Sequence, residues 1–362
     1  MNKIIYLDAA ASYLKSDAVI GAEVDFLRDS YANSGRGVCA RAVAVDDMVA
    51  RVRGKVADFM GADVSQIVFT NGTTDGMNQI VRMLNLTPDT VVVVSDLDHH
   101  SARLPFVMGG AKIEVCPLDG ECNIDVDNIP RGDVLVLTAM SNVMGAAQKV
   151  PEIVRIAREK NPNVIVVVDA AQYVVHNKID VKKWDADFVC WSGHKIGADT
   201  GVGIMYVKNP EKFNPAKFGG GMVRRVLPDD ILLMAGPEKF EAGTLPLTQI
   251  AGLGVAIDEI ENNRPNLDLI KYMYDQLVGV RGIRLLSARS GAVLSFVVDG
   301  MHPLDFGVLL GARNVCVRVG NMCATWIHER LGVPGSVRIS VGAYNTIEEA
   351  KAVVGYIKDI LK

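Results

Sequence analysis

Lys195 lies in "CWSGHKIGADTG", a polar, glycine-flanked turn that directly follows the apolar run "DFVCWS". A lysine held at the mouth of a sheet can be desolvated enough to lose its proton and act as an imine-forming amine; standing alone, it would read as a solvated turn cation. Asp169 ends a second apolar run, "VIVVVD", with neither lysine nor arginine beside it in sequence. A carboxylate there needs a cationic or hydrogen-bonding partner, or else it caps the segment "AAQYVV". In "TNGTTDGMNQIV" a strand end, Gly72, Thr73, Thr74 and Gly76 lead into a helical pattern. Unpaired N–H groups and the dipole at such a helix start bind phosphate, and threonine hydroxyls add donors, although a simple capped helix would look the same. The stretch fits neither the Walker loop nor GxGxxG. His99, in "SDLDHHSARLPF", follows another β-branched run. An imidazole there can stack on a flat ring or move a proton, or cap a solvated turn.

These residues need a scaffold that brings strand ends together. Over the first 210 residues, short β-branched runs ("IVFT", "VVVVS", "KIEVCPL", "DVLVLTAM", "VIVVVDAA", "DFVCWS", "GVGIMYV") alternate with segments of helical periodicity such as "DDMVARVRGKVADFM" and "VPEIVRIAREK". That order implies right-handed βαβ units and an α/β fold with a mostly parallel sheet, whose ligands bind beyond the carboxyl ends of the strands. All four candidate groups fall at such ends. Only a turn separates "DFVCWS" from "GVGIMYV", too short for a crossover helix, so this pair is expected to be antiparallel. Ser16 is placed to cap the helix "DAVIGAEVDFLRDSY", and Pro151 suits a first helical turn. "FNPAKFGGGMVRRVLPDD" reads as a long loop. Beyond it, "LTQIAGLGVAIDEIENN", "AVLSFVV", "SVRISVG" and "TIEEAKAVVGYIKDILK" describe a smaller α+β unit. The expected division is a large domain over 16–250 and a small one formed by 1–15 and 251–362.

The chain has 362 residues, 49% of them hydrophobic and 22% charged, with a net charge of −4. This is a globular composition without the basic footprint of a nucleic-acid binder, and no run approaches the ~20 apolar residues that span a bilayer. A cytoplasmic protein is expected. Six cysteines in a chain of this size point to free thiols. Cys116 and Cys122 lack the spacing and histidine partners of a zinc site, so no metal is expected. Cys190 and Cys316, set in apolar runs, read as small buried hydrophobes.

Together, "VDAAQ", "SGHK", "NGTTDG" and "DHH" resemble the class V branch of the aminotransferase-fold (fold type I) pyridoxal phosphate enzymes, a likeness that runs from "YLDAAAS" to "AYNTIEEA". The segment "VRVGNMCATW" is similar to the RxGxxCA segment of group II, SufS-like cysteine desulfurases. The resemblance implies pyridoxal 5'-phosphate held by Lys195, with Asp169 at the ring nitrogen, Gln172 at the phenolic oxygen and His99 stacked on the ring. Thr73, Thr74, Ser192 and His194 would bind the phosphate, and Thr244 of "FEAGT" would complete that cradle from a second subunit of a homodimer. It further implies L-cysteine as substrate, its carboxylate bound by Arg338 with Asn142 and Arg36 nearby, and Cys323 as the persulfide-forming nucleophile that passes sulfur to an acceptor protein, for iron–sulfur cluster assembly or thiolation. A selenocysteine lyase, a sulfinate-removing enzyme or an aminotransferase would share most of these motifs, as would a cofactor-free binding protein of the same fold. Asn321, Met322 and Trp326 replace the two histidines and proline common around the cysteine, and Ala198 and Asp199 replace the glycine and proline common after the lysine.

Overall fold

The computed structural model describes residues 4–35 and 37–362. Seven strands form the main sheet: β1 (Ile67–Thr70), β2 (Val91–Ser95), β3 (Lys112–Cys116), β4 (Val134–Thr138), β5 (Ile165–Asp169), β6 (Phe188–Ser192) and β7 (Gly203–Val207). Their order is β1-β7-β6-β5-β4-β2-β3. All neighbours are parallel except β7, which runs antiparallel to both β6 and β1, as the short turn between β6 and β7 requires. Every residue of β4, β6 and β7 is buried, which explains why these strands are continuous apolar runs rather than alternating ones.

Helices cover both faces. Ser16 caps the helix Asp17–Asp25 by accepting the Val19 N–H at 3.1 Å, and Pro151 sits in the first turn of the helix Val150–Lys160. The helix Leu247–Asn262 packs on Asp17–Asp25 and on Ala40–Met60, and its buried side chains, Leu247 to Ile260, belong to the large core. Gly254 permits this approach, because a Cβ there would stand 2.9 Å from Val52. Along this stretch the large core runs to Ile260 and the small core resumes at Leu269, so residue 250, the expected boundary, lies within a helix packed on the large core, to which Ala324 and Ile327 also belong.

The small unit is a four-stranded antiparallel sheet, ordered Ile283–Leu285, Leu294–Val298, Ser336–Ile339, Arg318–Gly320, with the helices Asp268–Leu277, Pro303–Gly311 and Ile347–Ile360. The N-terminal segment joins the units. Ile5–Tyr6 pairs with Val315–Cys316, Ile5 and Leu7 enter the small core, and Ala9 and Tyr13 enter the large one. The glycine-rich stretch expected to be a loop instead contains an antiparallel hairpin, Val223–Leu227 with Asp230–Leu233. Cys190 is fully buried as expected, whereas Cys316 is only half-buried because its strand is a two-residue edge pairing. Among the described residues no helix is long and apolar enough to cross a membrane.

Candidate active site

The carboxyl ends of β4, β5 and β6 open into a cavity of about 410 Å³ between the two units. Register brings the key groups into line: Thr138 pairs with Asp169, Asp169 with Cys190, and Ser192 with Gly203. Gly203 must lack a side chain, since a Cβ would lie 2.5 Å from the Gly72 Cα. This close approach seats the start of the helix Thr73–Leu84 against β6. The Thr73 N–H donates to Ser192 Oγ at 2.8 Å, and the two hydroxyls lie 2.9 Å apart. Thr74 is exposed beside them, and an adjoining cleft is lined by Thr73, Thr74, Ser192 and His194. An anion there would meet free helix N–H groups and hydroxyl donors.

Lys195 ends a tight turn, Gly193–Lys195, that leaves β6. Its Nζ donates to the carbonyls of Ala10 at 2.7 Å and Ala11 at 3.0 Å. Burial lowers its pKa to about 8, Arg338 adds to the effect, and Asp169 and Asp8 oppose it. Asp169 is 4% exposed, and its carboxylate accepts the Ala171 N–H at 2.9 Å, so it also serves the local turn that the capping alternative foresaw. Burial raises its carboxyl to about 6 against the pull of that bond and of Lys195. A cation placed opposite would reverse the shift. Gln172 Nε2 shares the Ala10 carbonyl at 2.8 Å.

His99 caps the helix His100–Met108, with Nδ1 accepting the Ser101 N–H at 3.2 Å, and it also lines the cavity. Burial and then the charge of Lys195 lower its pKa to about 4; the same two causes bring His194 to about 4. Both imidazoles are therefore neutral near pH 7. Asp98, wholly buried, accepts the Ser95 N–H and the Thr138 hydroxyl at 2.7 Å each, which fixes the corner that presents His99.

The far wall comes from the small unit. Arg338 is 2% exposed and donates to the Asn142 carbonyl at 3.0 Å and to Asp8 Oδ1 at 3.2 Å. Its Nε and the Asn142 Oδ1 have no hydrogen-bond partner among the described residues. Buried polar atoms left open in this way mark a place for a ligand. Burial brings the Arg338 pKa down to about 10. Cys323 is exposed at the rim, on a turn where Met322 and Cys323 both adopt left-handed conformations with φ of 49° and 53°.

A family model described as aminotransferase class-V matches residues 5–353. The chain belongs to the aminotransferase class-V family. Curated cysteine desulfurases of Pectobacterium atrosepticum and Salmonella agona are 32% and 33% identical to it, over 99% and 97% of this chain and 93% and 92% of theirs. Two solved structures share the α/β fold with its mixed, mostly parallel sheet. The apo cysteine desulfurase of Thermococcus onnurineus NA1 has a TM-score of 0.94 at 31% identity, covering 99% of this chain and 95% of that one. For the cysteine desulfurase CsdA (S-sulfonic acid) of Escherichia coli the score is 0.91 at 31% identity, covering 99% and 94%.

The residues expected at the site number thirteen, from Arg36 to Arg338. Eleven of the thirteen line one cavity. Thr244 does not; it is exposed beside a separate cleft with Arg53 and Glu241. Arg36 lies outside the described residues. Sequence reasoning missed Asp8, which is 6% exposed and bridges Arg338 and Arg318, the latter at 2.6 Å. It also missed the Ala10 and Ala11 carbonyls that hold Lys195. The available signal was an acid opening "DAAAS", too short a pattern to carry a role alone.

Proposed function

We propose that this chain is a pyridoxal phosphate-dependent cysteine desulfurase of the SufS-like group II, which moves the sulfur of L-cysteine onto Cys323 and leaves L-alanine. The observation that carries this reading is that an amine of lowered pKa, a buried carboxylate, a helix-start anion cradle and an accessible thiol face a single cavity. The full-length similarity to curated cysteine desulfurases supports it. The donor set fits the cofactor: Lys195 would carry its aldehyde carbon, Asp169 would face the ring nitrogen and Gln172 the phenolic oxygen. His99 would lie on the ring, while Thr73, Thr74, Ser192 and His194 would hold the phosphate. Bound there, pyridoxal phosphate supplies the electron sink for charge developing at the substrate α-carbon.

The chain's own groups do the rest. Arg338 offers its open Nε–H and the adjoining guanidinium edge to the substrate carboxylate, while the open Asn142 Oδ1, an acceptor, suits an N–H donor of the substrate. Lys195, freed from the Ala10 and Ala11 carbonyls, is the base for the α-proton, and its pKa near 8 keeps a useful neutral fraction at neutral pH. Cys323 Sγ forms a bond to the substrate sulfur as the Cβ–S bond breaks, and the electron pair left on carbon takes up a proton to give alanine. Thr244 is proposed to reach the phosphate of a partner subunit in a homodimer. The persulfide would then pass to an acceptor protein in the cytoplasm, with iron–sulfur cluster assembly as its use.

Mass spectrometry of the protein after incubation with L-cysteine tests this. One added sulfur on the Cys323 peptide, removed by dithiothreitol, is the expected result. Cys323→Ala should lower alanine release at least about 100-fold while keeping the cofactor absorbance. Undiminished alanine release by that variant would overturn the assignment and favour one of the related activities.

A further inference from the structure

Two successive residues in left-handed conformation, neither of them glycine, hold Cys323 in place, and such backbone persists only where its surroundings fix it. Two hydrogen bonds meet the turn's carbonyls. Asn142 Nδ2 donates to Met322 O at 2.8 Å, and the His100 N–H donates to Cys323 O at 2.7 Å. Downstream, Ala324 and Ile327 are fully buried in the large core. Between these two anchors stands Trp326.

Its ring is enclosed by charge and by another ring. The Arg103 guanidinium carbon lies 4.2 Å over its centroid, and His100 meets it edge-on at 5.2 Å and 79°. Asp96 holds Arg103 at 3.4 Å and is also reached by Arg330 at 3.7 Å, so the cation over the ring is itself fixed. His100 Nε2 lies 3.1 Å from Thr325 Oγ1. One corner, residues 99–103, thus presents His99 to the cavity and grips the thiol-bearing turn from the other side.

Resting on the desulfurase reading, we propose that Trp326 is a positioning residue for sulfur transfer, which through Arg103 and His100 keeps the Cys323 turn directed over the cavity. A stacked, partly desolvated guanidinium–indole contact supplies rigidity to the segment that follows Cys323.

The test uses the cofactor-loaded protein, with wild type, Trp326→Ala and Trp326→Phe compared. Labelling of Cys323 by iodoacetamide, followed on its peptide, should quicken about threefold in Trp326→Ala as the turn swings free. Its kcat for alanine release should fall about tenfold with KM for cysteine within twofold, because a displaced nucleophile harms reaction rather than binding. Trp326→Phe should restore most of both. Wild-type labelling and turnover in Trp326→Ala would overturn the proposal, as would loss of bound cofactor, which marks a general folding role. Should Trp326→Ala be insoluble, Arg103→Gln must show the faster labelling. If wild type itself releases no alanine, the desulfurase reading fails and the labelling ratio alone decides the role of Trp326.

Discussion

Lys195 leaves a strand that is buried along its whole length and paired on both sides, whereas Cys323 rides an exposed turn with two successive residues in the left-handed region. The two groups face one cavity, yet one is set by sheet register and the other by a few contacts across two units. The difference follows from their chemistry. A base and its carboxylate partner gain from a dry, fixed setting that shifts their proton affinities. A sulfur carrier must receive an atom inside and release it outside, which only an exposed segment allows.

The contrast can be broken most directly at the lysine. Lys195→Ala should lower alanine release by roughly 10³-fold or more and remove the imine absorbance, since no other described amine lines the cavity. Retained turnover would mean that the buried wall is not the reacting one. A smaller effect concerns proton linkage in the cofactor-free protein. Unfolded, Lys195 keeps its proton to a pKa of ~10.4. Folded, it loses it near 8, so between those values the unfolded state holds one more proton and stability must rise with pH. Against a Lys195→Met reference, wild-type unfolding free energy should gain about 3 kcal/mol at most across that window, at ~1.4 kcal/mol per unit. A pH-independent difference in denaturant melts would show that the amine is not desolvated. The smallest effect probes the turn. Met322→Gly relieves a left-handed residue but also deletes a side chain packed on the large core, so it should destabilise the protein by about 1 kcal/mol, read as a slightly lower denaturant midpoint.

Much of the cofactor wall was legible because it is local: Lys195, Asp169, Thr73 and His99 each follow a β-branched run, and strand ends in a parallel sheet share one edge. The antiparallel β6–β7 pair followed from turn length alone. What escaped was non-local or masked by composition. Asp8 owes its role to partners in the last third of the chain, which no spacing encodes. In "GGGMVRRVLPDDILL" the glycines and prolines signalled a loop and hid two short strands. The helix Leu247–Asn262 looked like the start of the tail because its small residues, which admit a neighbouring helix, weaken the amphipathic pattern. Trp326 stood out only as a departure; its contacts with Arg103 and His100 needed coordinates.

The carboxylate of Asp8 reaches Arg338 across 330 positions of sequence. The contact joins the two ends of the chain, so it exists only once the N-terminal strand has paired with Val315–Cys316 and the small sheet has formed. Until then the arginine has no fixed anion beside it. An incompletely folded chain can own every strand of the large sheet and still lack a finished substrate pocket.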